Sequence, residues 1–313
     1  MRLSACLTML VFALAASSTS AQNCCAPTVP QQGVMGETAT LPQTLDFALH
    51  YEYLRSRGMY QGPDKIHDPY GTETDWHRVT ATVSYGLTRR TSFTAIAPWV
   101  TKEKTRYLGA SDITVLKKGD GLSDVTLLGR YSLIVRDFVN YHELSIGAGI
   151  KVPTGATDLE SLGARIAREL QPGTGSWDFT FMGSYYRGYE LVDFYASIST
   201  LLTGEHEGYK FGNRFSFLVQ SSFHVHKRLD VSAGFTGSMV GTDSYDGGPI
   251  HGTGREQIWF TPGLNLGIVP ALLRLQLTGE LPVYQHFNEA QLGSDYNLRA
   301  SLSYSWFFGE NED

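Results

Sequence analysis

Residues of unlike character alternate along many short segments of this chain, and this period of two constrains its fold more than any other feature. Leu144–Val152 alternates lipid-compatible residues with small or polar ones, as in a strand whose two faces differ. After a break at Pro153 and a polar stretch, Trp177 to Tyr185 repeats the pattern. One such hairpin also occurs in soluble sandwiches. However, the order of long loop, strand, short turn and strand recurs to the C-terminus, which predicts an all-β chain.

The first residues have the pattern of an export signal. Arg2 precedes an apolar run from Leu7 to Ala16, and small residues up to Ala21 complete a secretory signal peptide at residues 1–21. The run is shorter than the ~20 apolar residues that a membrane-spanning helix needs, and no later stretch approaches that length. A mature chain in a membrane must therefore form a closed barrel, which alone satisfies strand backbones in lipid.

The composition narrows the class of protein further. Glycine (33 residues) and aromatic residues (12%) are abundant and cysteine (3 residues) is rare, as expected for many strands and turns without a disulfide framework. A net charge of -6 gives no basic surface for nucleic acid. Cys24 and Cys25 fall in residues 22–42, which we predict to be a periplasmic tail and a candidate contact for a periplasmic partner. A disulfide is the simplest interpretation of this pair, with metal or redox chemistry as the alternative.

Three features favour a transmembrane barrel over a soluble β-protein. No assigned lipid-facing position holds a charge, although Arg or Lys at the bilayer midplane would cost roughly 2–4 kcal/mol. Aromatic residues cluster near both ends of the strands, as interfacial girdles require, and long loops alternate with short turns. We predict a transmembrane antiparallel up-and-down β-barrel of about twelve strands over residues 43–308, in the outer membrane of a Gram-negative bacterium. The phase of the strand near Ser92 to Val100 stays open, because both of its faces are apolar.

Three motifs resemble those of a known outer-membrane family. Gly119–Asp124 followed by Arg130-Tyr131, then Lys151–Gly155, then Leu170–Asp178 occur in order at hairpin positions, and together they resemble the outer-membrane family named for the meta pathway of phenol degradation. The likeness covers residues 45–308 and weakens after residue 195. It implies a small barrel that acts as a transporter, and the family name implies uptake of aromatic compounds.

The chain departs from this family at its C-terminus. Such barrels usually end on an aromatic residue that the barrel-assembly machinery reads, whereas an acidic tail at residues 309–313 follows Phe308 here. The assembly machinery remains an expected partner, together with outer-membrane lipids, lipopolysaccharide and a small-molecule solute.

No catalytic arrangement stands out in the sequence. A nucleophile needs its base within hydrogen-bond reach, and the chain has neither a His-x-Ser-Asn cluster nor a Gly-x-Ser-x-Gly elbow. His224 and His226 share a strand face, but two ligands without a third do not predict a metal site. We therefore predict no enzymatic activity, no cofactor and no metal.

The predicted function is that of an outer-membrane channel for passive uptake of small molecules, with aromatic or other hydrophobic compounds as candidate solutes. Charged residues of both signs occupy the polar phases of the strands and should line a watery lumen. Because a barrel of this size is narrow, paired side chains would alternatively fill it, giving a closed structural or partner-docking barrel. A lipid-modifying enzyme is the third alternative. The predicted lumen-lining residues are Asp46, His50, Glu52, Arg78, Asp124, Arg130, Glu143, Lys151, Asp178, Asp193, Arg274, Glu280 and Arg299.

The third extracellular loop has the sequence features of a helix. A capping box begins at Thr157, apolar residues recur at helical spacing, and Pro172 supplies a stop. The pattern predicts one short helix, Asp158 to Leu170. If this helix folded into the barrel, Arg165 and Arg168 would narrow the pore and favour anions. On the rim they would instead meet lipopolysaccharide phosphates.

Overall fold

The structure is a computed structural model that describes residues 40–108, 113–136, 141–161 and 163–308. The predicted signal peptide, Cys24 and Cys25, all but the end of the predicted periplasmic tail, and the acidic C-terminal tail lie outside the described residues. Among the described residues no helix has the length and apolar character needed to cross a membrane.

Strands account for most of the described chain. Short connections such as residues 189–191 and 227–228 alternate with long ones such as 153–177 and 241–254, as predicted. The strands are β1 (Thr44–Gly62), β2 (Asp64–Ile66), β3 (Glu73–Gly86), β4 (Thr91–Leu108), β5 (Ile113–Leu122), β6 (Val125–Ile134), β7 (His142–Val152), β8 (Glu160–Ser161), β9 (Ala164–Arg165), β10 (Asp178–Gly188), β11 (Val192–Leu202), β12 (Glu205–His206), β13 (Tyr209–Lys210), β14 (Arg214–His226), β15 (Leu229–Val240), β16 (Ser244–Tyr245), β17 (Gly248–Pro249), β18 (Arg255–Phe260), β19 (Gly263–Val269) and β20 (Leu273–Phe307).

The long strands close into an antiparallel barrel. Around the wall the order is β1, β3, β4, β6, β7, β10, β11, β14, β15, β18 with β19, and β20, and β20 then pairs with β1 from Thr44↔Phe307 to Gly62↔Phe287. The hairpin partners β2 and β5 lie outside this ring. Closure pairs the backbone of the first and last strands, which is the condition for a sheet to lie in lipid.

The wall contains 11 strand runs in the described residues, and the last run crosses it twice. The first part of β20 is antiparallel to β19 and β18, whereas its second part is antiparallel to β1. β1 and β19 run in opposite directions across the wall. Since one part of β20 is antiparallel to β19 and the other part is antiparallel to β1, the chain direction of β20 must reverse between the two parts. The prediction of about twelve crossings is therefore confirmed.

The two faces of the strands separate as the alternation predicted. Phe179 and Phe181 of β10 are exposed on the outer surface, whereas Thr180 and Ser184 are buried on the inner side. The open question about β4 is also answered, because Phe93 and Trp99 are 53% and 50% exposed while Ile96 and Val100 are 4% and 2% exposed. Pro98 lies within β4 opposite Thr80. The outer faces of β4 and β10 are thus apolar at these positions.

The α-helix predicted at Asp158 to Leu170 is wrong. Only Arg168–Leu170 forms a single 3-10 turn, and β8 pairs with β9 upstream of it. Gly163 has φ +76, a left-handed conformation that interrupts a helix. The Gln171 side chain then bonds the backbone N–H and C=O of Leu159 at 3.0 Å each, and so replaces helical hydrogen bonds. Leu162 lies outside the described residues.

Candidate functional site

One side of the barrel encloses a large cavity of about 1370 Å³. Its lining includes Thr44 and Phe307, near the end with the short turns, and reaches Ser56 and Arg214 near the opposite end. The short turns mark the periplasmic end of a barrel of this type. We call the strands that supply most of the lining the open side, namely β11, β14, β15, β18, β19, β20, β1 and β3. Within the described residues no lining side chain comes from β4, β6 or β7.

Two buried glutamates organise the extracellular half of this cavity. Glu52 forms a salt bridge with Arg78 of the neighbouring strand, and Arg299 lies 3.3 Å from Glu52 and 3.4 Å from Glu280. The Asn297 amide donates to both carboxylates, at 2.6 Å and 2.7 Å. These inward side chains lie side by side because β1 is between β3 and β20. Glu52 is in register with Arg78 on one neighbour and with Arg299 on the other. The predicted pairing of opposite charges is present here, between neighbouring strands of the wall.

Two further arginines line the same end of the cavity. Arg214 begins β14 and Arg255 begins β18, and both register with Val240 of the strand between them. Arg255 Nε donates to Gln257 Oε1 at 3.0 Å. The sequence pattern did not reveal either arginine, because both adjoin loops. Arg214 keeps the inward phase of Ser216, so extending the alternation by one step would have found it.

His50 lies one inward position below Glu52 on β1. Its Nδ1 lies 2.7 Å from Ser301 Oγ, and its Nε2 has no hydrogen-bond partner although the side chain is buried and lines the cavity. A buried polar atom without a partner is costly unless water or a solute reaches it. His50 is therefore positioned to contact whatever occupies the cavity.

Eight of the predicted lumen residues line this cavity, and five do not. The eight are Asp46, His50, Glu52, Arg78, Asp193, Arg274, Glu280 and Arg299. The other five are buried on the inner side of β6, β7 and β10 or, for Asp124, directly before β6. We call these three strands, together with β4, the filled side. These five are Asp124, Arg130, Glu143, Lys151 and Asp178.

A lysine between two carboxylates closes the extracellular end of the filled side. Lys151 Nζ lies 2.5 Å from Asp124 Oδ2 and 3.0 Å from Asp178 Oδ2, and Asp178 is 0% exposed. The remaining carboxylate oxygens hold the loops, because Asp124 Oδ1 accepts from Gly155 N at 3.0 Å and Asp178 Oδ1 from Gly204 N at 2.9 Å. Asp124, Lys151 and Asp178, which belong to the three sequence motifs, therefore fix the loops at this end of the barrel. The alternation of the strands does not reveal this role.

The middle of the filled side is apolar. Ile96, Leu128 and Met182 point inward from β4, β6 and β10 and form a buried hydrophobic cluster. Below it, toward the periplasmic end, Ser145 Oγ donates to Glu143 Oε1 at 2.6 Å. Side chains thus pack against one another on this side of the lumen, in the way that the closed-barrel alternative requires.

The loop after β7 folds over the filled side. Lys102 Nζ of β4 donates to the carbonyl oxygens of Glu169 and Gln171, at 3.2 Å and 2.7 Å. Leu170 is fully buried, and a Cβ at Gly119 of β5 would lie 2.0 Å from the Leu170 carbonyl oxygen. Only glycine permits this approach, so Gly119 in the first resemblance motif is explained by loop packing.

Arg165 and Arg168 contact a neighbouring loop and do not line the cavity. Arg165 Nη1 and Arg168 Nη2 each lie 2.9 Å from Glu207 Oε2, in the turn between β12 and β13. The hydrogen bond from Arg165, with the charges of both arginines, lowers the pKa of Glu207 below its ordinary value. The pair therefore joins two extracellular loops.

A small sheet of β12, β13, β16 and β17 covers the extracellular end of the open side. Asp243 below it accepts from Tyr209 Oη at 2.5 Å and from Gly212 N at 2.7 Å. Burial raises the pKa of Asp243 despite these donors. The contact ties the loop after β15 to the loop after β11.

Comparison with known proteins gives a match in structure only. No family model matches the chain, and no curated protein matches it. A solved outer-membrane channel of Pseudomonas putida F1 is similar, with a TM-score of 0.68 and 13% identity over 86% of this chain and 98% of that one. The Pseudomonas putida toluene transporter TodX gives a TM-score of 0.45 and 10% identity over 90% and 95%. At these identities the likeness shows the fold alone, and that fold is the closed β-barrel of Gram-negative outer-membrane proteins.

Proposed function

We propose that this barrel is an outer-membrane channel through which small molecules diffuse passively along the open side. The single observation that carries the proposal is the cavity of about 1370 Å³, whose lining extends from the periplasmic rim to the level of Arg214. Glu52 and Glu280 pair with Arg78 and Arg299 along the wall, which leaves the middle of the open side available to solute. A barrel filled for structural reasons alone would have no such space beside a packed cluster.

The lining suits a solute that has both apolar and polar parts. Trp76, Trp259 and Tyr195 contribute aromatic surface to the same cavity as the arginines and glutamates. Aromatic compounds, proposed from the family resemblance, would meet these rings, and polar substituents would meet the charged end. Purely apolar compounds would have to displace water from the charged groups, which is unfavourable.

Single-channel recording with a matched pair of tryptophan variants tests the proposal. Ser238 lines the cavity from the inner face of β15, and Met239 beside it is exposed on the outer face. Ser238→Trp should lower the conductance in planar bilayers because the ring occupies the lumen. Met239→Trp should leave the conductance unchanged because the same ring lies in lipid.

The alternatives predict other outcomes in the same preparation. A closed structural barrel gives no single-channel steps and no liposome swelling with either variant or the parent chain, and that result would overturn the channel proposal. The lipid-modifying alternative has its own assay, in which purified protein is incubated with phospholipid vesicles. Release of fatty acid above the buffer rate would favour it.

A further inference from the structure

We infer that the middle of the cavity is a binding site for small neutral solutes that carry a hydroxyl group, an inference that rests on the proposed function and names its solute class. The site lies around His50 of β1 and Thr82 of β3, which both line the cavity and are each 4% exposed. Thr82 is in register with Ala48, the inward residue of β1 next to His50. The two polar side chains are therefore diagonal neighbours on the inner wall.

Each of these side chains has a polar atom without a hydrogen-bond partner among the described residues. The atoms are His50 Nε2 and Thr82 Oγ1, whereas the other ring nitrogen of His50 is bonded to Ser301 Oγ at 2.7 Å. Buried polar atoms of this kind are rare, because each one costs free energy when it leaves water. Since both side chains border the cavity, a solute there reaches these atoms after a small side-chain rotation.

The chemistry of the two groups favours a hydroxyl partner. The Ser301 hydroxyl can donate to His50 Nδ1 or accept from it, so Nε2 is a donor in one tautomer and an acceptor in the other. A solute hydroxyl pairs with Nε2 in either tautomer and with the Thr82 hydroxyl, because it both donates and accepts. A hydrocarbon would displace water from these atoms without replacing its hydrogen bonds, which lowers affinity.

The charges next to the site favour a neutral solute. One inward step above His50, two arginines and two glutamates are joined by salt bridges, so their formal charges sum to zero. They are Glu52, Arg78, Glu280 and Arg299. A carboxylate would be attracted by the two arginines but repelled by the two glutamates, and the reverse holds for an ammonium group. Because an ion also loses hydration in a narrow lumen, this balance favours an uncharged solute.

The wall beside and below His50 is also uncharged. Ser301 is in register with His50, and Ser303 is in register with Ala48. Both serines line the cavity, and the next charged residue on the inner face of β1 is Asp46, beyond Ala48. The two serine hydroxyls supply further hydrogen-bond partners for the solute or for water around it.

Calorimetry with the detergent-solubilised barrel tests the site by comparing benzyl alcohol with toluene, which has the same ring without the hydroxyl. The pH is mildly alkaline, where imidazole is uncharged. The ratio of the two affinities is compared between chains, because partition of each solute into detergent is then the same. His50→Leu should lower this ratio about fivefold, the effect of one net hydrogen bond. Thr82→Val should lower it too, whereas His50→Gln, which keeps a donor and an acceptor, should restore most of it.

His77→Leu is the matched control. His77 lies on the outer side of β3, where its Nδ1 is 2.8 Å from Tyr51 Oη, and it does not line the cavity. This variant removes an imidazole from the same strand pair and should leave the affinity ratio unchanged. An equal fall of the ratio in His77→Leu and His50→Leu would overturn the site.

Nitrogen NMR of the histidine-labelled barrel observes the contact itself. The His50 signals are those that Ser301→Ala perturbs, since this variant removes the partner of Nδ1. The Nε2 signal should shift on addition of benzyl alcohol and stay in place with toluene. This measurement decides the matter if His50→Leu fails the heat-modifiable migration test for folding, and an Nε2 signal that benzyl alcohol does not move would overturn the site.

The remaining outcomes separate this inference from the proposed function. Conductance together with an affinity ratio that His50→Leu does not change would overturn the hydroxyl site and leave the channel intact. Absence of conductance together with a ratio that falls in His50→Leu would overturn the channel and support the site. Benzoate and benzylammonium, titrated in the same way, should bind more weakly than benzyl alcohol, and tighter binding of either ion would overturn the preference for a neutral solute.

Discussion

The open and filled sides of this barrel are built from strands of the same kind, yet their inward side chains fill the lumen on one side and border a cavity on the other. On the filled side the Ile96, Leu128 and Met182 side chains meet one another, and Lys151 joins two carboxylates above them. On the open side the charged side chains pair with neighbours along the wall, as Glu52 does with Arg78 and Arg299, and a cavity remains. A narrow barrel can therefore combine a packed core and an open cavity in one lumen.

The largest expected effect is a loss of stability when the charge cluster at the extracellular end of the filled side is broken. Lys151→Met removes the cation between Asp124 and Asp178 and leaves two buried carboxylates side by side, which should destabilise the barrel by about 3–5 kcal/mol. Urea unfolding in detergent micelles measures the loss. Arg274→Gln, at an exposed lining position on the open side, is the control and should change stability little. Equal losses in the two variants would show that the two sides are not energetically distinct.

The next effect concerns the apolar middle of the filled side. Ile96→Ala removes buried side-chain carbons from the cluster with Leu128 and Met182 and should cost about 2–4 kcal/mol, because a cavity remains. Ser238→Ala on the open side removes a hydroxyl from a wall that already borders space, so its cost should be within about 0.5 kcal/mol. The same unfolding experiment compares them. A cost below 1 kcal/mol for Ile96→Ala would mean that this cluster does not behave as a core.

The smallest effect is expected at the extracellular loops that lie over the two sides of the barrel. Glu207 joins the loop over the filled side to the loop over the open side through Arg165 and Arg168. Because its pKa is lowered in the folded chain, the contact is complete above the ordinary carboxyl range and is lost as the pH falls through the lowered value. Protease cleavage of these loops should therefore increase below pH 4.5, the ordinary pKa of the group.

Glu207→Gln provides the control for that experiment. It removes the titrating group, so cleavage should be faster at neutral pH and should no longer change through the acidic range. Cleavage of the parent chain that is independent of pH would contradict a role for this contact in closing the loops. The effect on global unfolding should be small, since exposed ion pairs contribute little.

Local sequence information was sufficient for most strand phases, but not for β4, whose two faces are both apolar in sequence, and not for the loop after β7. The alternation at Phe179 and Phe181 predicted which side faces outward, because a period of two follows from strand geometry alone. The helix prediction failed for a reason that lies in distant residues: Gly119 of β5 admits the Leu170 carbonyl, and Lys102 of β4 binds two further carbonyls of the same loop. Arg214 and Arg255 were missed because each begins its strand beside a loop, before the alternation that the sequence pattern assigned.

The sequence by itself determined that the chain forms a closed all-β barrel with an apolar exterior, since alternation, turn spacing and the exclusion of charge from lipid are properties of single strands. Only the tertiary structure decided how the interior is used. The inward residues of every strand look alike in sequence, being small, polar or charged with occasional apolar ones. Whether they fill the lumen or line it depends on which strands curve to face each other, and that is a property of the closed ring.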